Sequence, residues 1–532
     1  MLFRVETFKG EIPKVATSLL PKGAAQLATE CNFDSGALRA MHTDSVAHTF
    51  AAATVDFIAY DGNWLSFDAP TRFAPGPVDT DRLYITTEGE VPKLHEVSSG
   101  ITHDLALPTP TAPPTVAINT EPADDPEDPL PVETVVYVTT WVTDLDEESP
   151  PSPVSASINV KEGATVDVTI VDNLAPAGTR INRIRVYRSQ TSALGTTGLY
   201  FVKELSVGTG LFVHDLETDP LQELIPSTDY DPPVDDLEGI TAMQQGMMAA
   251  FTGKSLYFCE PYQPHAWPLK YELKTDYDIV GLAATGGTLF VLTKGTPYVV
   301  QGTAPENMIM DRMDQNLPCL SKDGIVDVGI AVLYPSHDGL VYLSGGSATV
   351  ITRPLFDRRK WADLQPQTFI AGNHDGQYVV SYIPKGEVDR QVLMVDLEGD
   401  TPSVSRRDLA PTKFSYDIVT GHLFYSDGTT IIKQFADVGK AKASLTWKSG
   451  DILMPSPTSF SCVLLQGVEY DPVGAPARVS IYGDDTLITT IEDINNIRRL
   501  PNNLATRWHI EITGAVDVDR VSVAGAPDEL LQ

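Results

Sequence analysis

The chain has 532 residues, enough for two to four domains that each bury a core of their own. It carries 71 Asp and Glu against 38 Lys and Arg, a net charge of −33, which argues against a protein that grips nucleic acid, because phosphate affinity rests on Lys and Arg. No apolar run approaches the ~20 residues of a membrane span, and MLFRVETFKGEIP lacks the apolar centre of an export signal.

Abundant Pro (40) and Gly (39) fit many turns and few long helices. The four cysteines, Cys31, Cys259, Cys319 and Cys462, lie far apart with no metal spacing, and read as free, mostly buried thiols of a protein matured in a reducing cytoplasm.

In chain order, residues 1–106 read as an N-terminal segment and a first propeller blade. Lys22 to Glu30 suits a short helix or turn, and Asn32 to Arg39 a strand, turn and strand. Two hairpins follow between Val55 and Leu94, turning at Asp61-Gly62 and Glu88-Gly89; together they make roughly one four-stranded sheet. Residues 107–131 form a Pro-rich linker with five carboxylates between Glu121 and Asp128. Pro removes backbone donors and like charges repel, so its middle is expected to be an exposed loop.

Residues 132–236 change character. Val132 to Val142 alternates, Asp144 to Pro153 is a turn, and further runs lie at Ser155 to Val160, Val166 to Val171, Ile181 to Arg188 and Tyr200 to Leu205. Five to seven strands with polar turns argue for an inserted β-sandwich. Glu147-Glu148-Ser149-Pro150-Pro151-Ser152, followed by Ile184-Arg185-Val186-Tyr187-Arg188, resembles a fibronectin type III module.

Residues 237–440 hold the remaining blades. Short apolar runs broken by Gly turns, as in Met248 to Phe251 before Thr252-Gly253-Lys254 and Ile279 to Ala283 before Thr285-Gly286-Gly287, read as hairpins because Gly supplies the positive φ of tight turns. Turns at Gly286, Asp338, Asp375 and Asp427 recur at the period of a four-stranded blade. Residues 441–532 are strand-rich without that rhythm and read as a second, C-terminal β-sandwich. The expected fold is therefore all-β: a β-propeller of about six blades with two sandwiches.

Chemistry is sparse. His265 stands in Glu260-Pro261-Tyr262-Gln263-Pro264-His265-Ala266-Trp267-Pro268, where an imidazole, aromatics and a carboxylate resemble a sugar-binding or catalytic loop. Three prolines fix that loop, and packing is the commoner role for His and Trp in it. Met308, Met310 and Met313, between Thr303 and Cys319, could plug a channel, touch a neighbour or pack within one chain. No P-loop, Gly-x-Ser-x-Gly, His-Glu-x-x-His or calcium-loop spacing occurs, so no catalytic residue, cofactor or metal is expected.

The opening strings, Gly10-Glu11-Ile12-Pro13, Leu20-Pro21, Ala24 to Ala28 and Asn32 to Arg39, resemble the start of the tail nozzle (tail hub) proteins of short-tailed bacteriophages. The resemblance extends through Phe258 to Tyr262, Pro264 to Pro268, Ile279 to Leu282, Val291 to Thr293, Cys319 to Lys322, Tyr334 to Val341, Trp361 and Trp447-Lys448. It implies a virion tail protein assembled in the host cytoplasm, a ring of six copies closing the distal end of the tail around the DNA channel. Its implied neighbours are tail-tube, adaptor or portal components, with room for tail fibres. DNA would pass through the lumen without specific binding, which an acidic wall would favour. A carbohydrate-binding adhesin using Tyr262, His265 and Trp267, and a propeller glycoside hydrolase, are the alternatives from other classes.

Overall fold

The computed structural model describes residues 1–33, 35–123, 127, 129–191, 197–216, 223–397 and 402–530. Asp34 of the strand–turn–strand reading, and Asp124, Asp125 and Asp128 of the linker's carboxylates, lie outside them. The described residues form 46 strands, and the two α-helices span only Arg358–Asp363 and Pro527–Leu530. Two units make up the backbone. The first holds Met1–Pro70, Tyr277–Val300 and Asp311–Gln532; the second holds Thr71–Asp276 and Gln301–Met310.

Among the described residues, six sets of four strands in up-and-down order lie at 71–104, 238–274, 279–312, 326–350, 370–407 and 413–434, the fifth being one end of a longer sheet and the last completed by Ser45–Thr49. In the first unit, the leading strands of consecutive sheets pack side by side: Ile279–Thr285 on Val326–Asp327, then Ile370–His374, Lys413–Asp417 and Asp56–Tyr60. In the second unit, Thr71–Pro75 packs on Glu238–Ala242 in the same way. Successive twisted sheets that bury their faces on one another are propeller blades. Phe290, Leu292, Tyr334 and Leu343 form one such shared layer, and Leu333, Tyr378, Leu393 and Val404 the next.

The Asp-Gly signals act as expected. Asp61-Gly62 (φ 47° and 76°) and Asp375-Gly376 (φ 48° and 79°) are two-residue turns with both residues left-handed, the conformation that matches strand twist. The two hairpins between Val55 and Leu94, however, do not share a sheet. Asp56–Tyr60 and Asn63–Phe67 stand alone as a two-stranded sheet, while Arg82–Thr87 and Lys93–Glu96 sit between Thr71–Pro75 and Ile101–Asp104. Strand pairing across Pro70 is a long-range choice that hairpin signals do not encode.

The inserted sandwich starts earlier than expected. Thr115–Thr120, inside the linker read as a loop, pairs with Thr165–Thr169, which in turn pairs with Leu211–Asp215. Opposite lie Tyr137–Thr143, Ile181–Thr191 and Thr197–Ser206, and Val132–Val135 pairs with Ile158–Lys161. Tyr137, Trp141, Val166, Val168, Ile184 and Val186 fill the space between.

Ser149 to Ser155, read as turn and strand start, instead runs alongside Tyr137–Thr143. The amides of Ser149, Ser152 and Ser155 donate to the carbonyls of Trp141, Thr139 and Tyr137 at 2.9, 2.8 and 2.9 Å. Their hydroxyl oxygens accept from the amides of the same three residues at 2.9, 3.0 and 2.9 Å. A Pro-rich segment advances three residues per turn, so Ser at every third position faces the strand and covers its edge.

The C-terminal sandwich is built from both ends of the chain. Leu2–Val5 pairs with Val516–Ala524, and Ala25–Thr29 pairs with Leu445–Ser449. Lys22 to Glu30 is thus neither helix nor turn for most of its length: its centre is a strand, held by partners more than 400 residues away. Thr29 also meets Arg406, which joins the sandwich to the 370–407 blade in a ten-stranded sheet. Val5, Phe8, Ala28, Trp447, Trp508 and Val521 share one core.

Candidate functional site

The second unit brings together two strings singled out in the sequence. Tyr137–Thr143 ends in a turn closed by Asp146 (φ 63°), in which the Thr143 amide donates to the Glu147 carbonyl at 2.9 Å. Glu147 and Glu148 follow in extended backbone, so their side chains point to opposite sides.

Glu148 is a hub. Its Oε1 accepts from Thr140 Oγ1 (2.7 Å), Tyr187 OH (2.6 Å) and Ser227 Oγ (3.3 Å), and its Oε2 from Arg185 Nη1 (2.8 Å). Arg185 donates onward to Glu204 at 2.9 Å. Burial and the neighbouring carboxylate push the Tyr187 hydroxyl well above its ordinary value, so it remains a donor.

The Glu148 carbonyl accepts from His265 Nε2 at 3.0 Å. His265 is 2% exposed, and burial pushes it down to about 4, so the ring is neutral at neutral pH. Its Nδ1 has no partner, and Tyr230 meets the ring edge-on at 5.8 Å between centroids. Trp267 is equally buried; its indole N–H donates to the Pro264 carbonyl at 2.8 Å, and its rings join a core with Ala74, Tyr84 and Leu94. Of the expected aromatic platform only Tyr262 is open, 56% exposed at φ 60°. Its ring lies against Gly246, where a Cβ would stand 2.6 Å from it. The loop at 260–268 is therefore a joint between blade and sandwich, with its imidazole and indole consumed in packing.

The methionines separate. Met308 is buried and fills the space above Gly302, Met310 is half-buried, and Met313, in the first unit, packs against the core containing Phe290 and Tyr334. All four cysteines are free and buried, and burial pushes Cys259 and Cys319 up to about 12, which makes them poor nucleophiles. Among the described residues no group of His, Cys, Asp and Glu could hold a metal ion, and no helix is long and apolar enough to cross a membrane.

On the opposite side of the joint from Glu148, Glu147 lines a cavity of about 420 Å³ with Leu94, Leu105, Thr143, Arg180 and Pro232. Arg180 is held by Glu96 and, through Nε and Nη2, by Asp144 at 2.8 and 3.0 Å. Burial pushes the Glu147 carboxyl up to about 7, against the nearby Arg82 charge. Sequence reading named the Glu147-Glu148 pair only as part of a sandwich string; two acids at a strand end, ahead of a Ser-Pro repeat, were the available signal.

Comparison with known proteins adds little. No family model matches the chain, and no curated protein matches it. Among solved structures, U3-55K is 8% identical, with 74% of this chain and 98% of that one covered at a TM-score of 0.31. BamB from Moraxella catarrhalis is 10% identical, with 83% and 100% covered at a TM-score of 0.32. At these scores neither likeness carries an argument. The propeller is read from the sheets themselves.

Proposed function

We propose that this chain is a structural, non-enzymatic subunit of a phage tail, six copies of which form a ring at the distal end as nozzle or hub around the DNA-ejection channel. The observation that carries the reading is the joint. Two strings, 147–152 and 260–268, meet through His265 and Glu148, so the residues most suggestive of sugar chemistry serve to fix a sandwich onto a blade. Trp361 and Trp447, which belong to the same resemblance, are likewise buried, donating to the carbonyls of Ser336 (2.7 Å) and Lys9 (3.2 Å). A scaffold needs such fixed joints; an adhesin needs its aromatics at the surface.

Charge supports the same reading. The second unit holds 33 Asp or Glu against 12 Lys or Arg, so it carries most of the chain's negative surplus. A wall of that sign repels phosphates and lets DNA slide.

The test is the mass of the purified protein, alone and mixed with tail-tube or portal components, by light scattering and negative-stain imaging. A ring of six, formed alone or on the partner, is the expected result. A 57.7 kDa monomer that ignores tail components and binds glycans would overturn the proposal in favour of the adhesin.

A further inference from the structure

The cavity beside Glu147 is not used by the joint. Its volume of about 420 Å³ falls within the range of small-ligand sites, roughly 300–1,000 Å³. Its walls are apolar where Leu94, Leu105, Leu107 and Pro232 contribute, and acidic where Asp104 and Glu147 do. Arg180 also lines it, but Glu96 and Asp144 already occupy that guanidinium. Arg82 and Tyr84 face Glu147 from the 71–104 sheet, and Thr143 and Asp144 face it from its own turn. The cavity lining thus sets two carboxylates, Glu147 and Asp104, against the single guanidinium of Arg180, which is itself paired with Glu96 and Asp144. His103 is the remaining titratable group on the wall.

Glu147 supplies the second, independent observation. Its side chain is buried, 6% exposed, with Oε2 taking a long contact from Thr143 Oγ1 at 3.4 Å. Its Oε1 is buried and has no hydrogen-bond donor. A buried carboxyl oxygen without a donor is costly, and the cost is relieved by a group that brings both N–H bonds and positive charge.

We infer that this cavity binds a small aliphatic primary ammonium ion, its alkyl chain against Leu94, Leu105 and Leu107 and its NH₃⁺ paired with the Glu147 carboxylate. A neutral alcohol would satisfy the oxygen but not the acidic surplus, so charge is the discriminating feature. The inference does not rest on the proposed ring.

The test is ligand-observed NMR on the full chain with n-butylammonium, using 1-butanol as the neutral counterpart. Butylammonium is expected to bind, at least tenfold more tightly than the alcohol. Because Glu147 ionises near 7, the affinity is expected to rise about tenfold between pH 6 and pH 8, while the amine stays charged throughout. Glu147→Gln, checked for folding by far-UV circular dichroism, should lose at least tenfold. Ala177→Trp, at the exposed rim, should block entry while leaving Glu147 in place. No binding at millimolar amine, equal binding of the alcohol, or amine binding that ignores both pH and Glu147→Gln would each overturn the inference.

Discussion

Glu147 and His265 are both buried against their charged forms, with opposite consequences for stability. Glu147 rises from its ordinary 4.5 to about 7. Below pH 4.5 it is protonated in both the folded and unfolded chain. Between pH 4.5 and 7 only the unfolded chain ionises, so its contribution falls as pH rises and reaches a penalty of roughly 3 kcal/mol above 7. His265 drops from 6.5 to about 4, so above 6.5 it is neutral in both states. As pH falls through that window only the unfolded chain takes the proton, and stability is lost toward acid by a similar amount. From pH 4.5 to 6.5 the two slopes cancel. Glu147→Gln is therefore expected to stabilise the protein by roughly 3 kcal/mol at pH 8 and hardly at all at pH 4. The stability of His265→Gln relative to wild type should instead improve steadily as pH falls from 7 to 4. Urea unfolding of each variant at pH 4, 6 and 8 checks both, and pH-independent offsets would show that neither group is buried as described.

Elements show a second kind of coupling, between distant parts of the chain. Ser45–Thr49 is the outermost strand of the 413–434 blade, registered with Ile431–Gln434. Arg407 reinforces that attachment, donating to Glu30 (2.9 Å), Asp44 (3.1 Å) and the His42 carbonyl (3.2 Å), with its guanidinium 4.4 Å from the Phe435 ring centroid. Breaking such a pair leaves buried carboxylates uncompensated, at about 3–5 kcal/mol. A chain lacking residues 1–50 loses this strand together with Leu2–Val5 and Ala25–Thr29 of the C-terminal sandwich. It is expected to be insoluble when expressed alone. Co-expression of a separate 1–50 segment should restore soluble protein, because the contacts need the segment and not its covalent position. Recovery of soluble, folded 51–532 by itself would contradict this account.

For the whole molecule, charge bears on the proposed assembly. Identical subunits that each carry a net −33 repel one another, and ions screen that repulsion beyond about 10 Å at 0.1 M salt. If rings form as proposed, their yield should increase from low salt to 0.3 M, as read by light scattering. Rings favoured by low salt would mean that the interfaces are held chiefly by opposite charges.

Much of this architecture was legible in the amino-acid order. Two-residue turns such as Asp375-Gly376 fix their own hairpins, because the positive φ they need is cheap only for a few residue types. Alternation in Val132 to Val142 and the blade-length spacing of turns likewise rest on local periodicity, and they identified the propeller and the inserted sandwich. What stayed hidden depends on partners far away in sequence: Ala25–Thr29 as a strand, Asp56–Phe67 as a separate hairpin, and Ser149 to Ser155 as an edge cover. The candidate site divides along the same line. Residues 260–268 and 147–152 each stood out by composition, yet only the tertiary structure joined His265 to Glu148 and left Glu147 facing a cavity. A residue's type gives its capacity to bind or titrate. Burial, which chain folding alone sets, decides whether that capacity is used in packing or left open to a ligand.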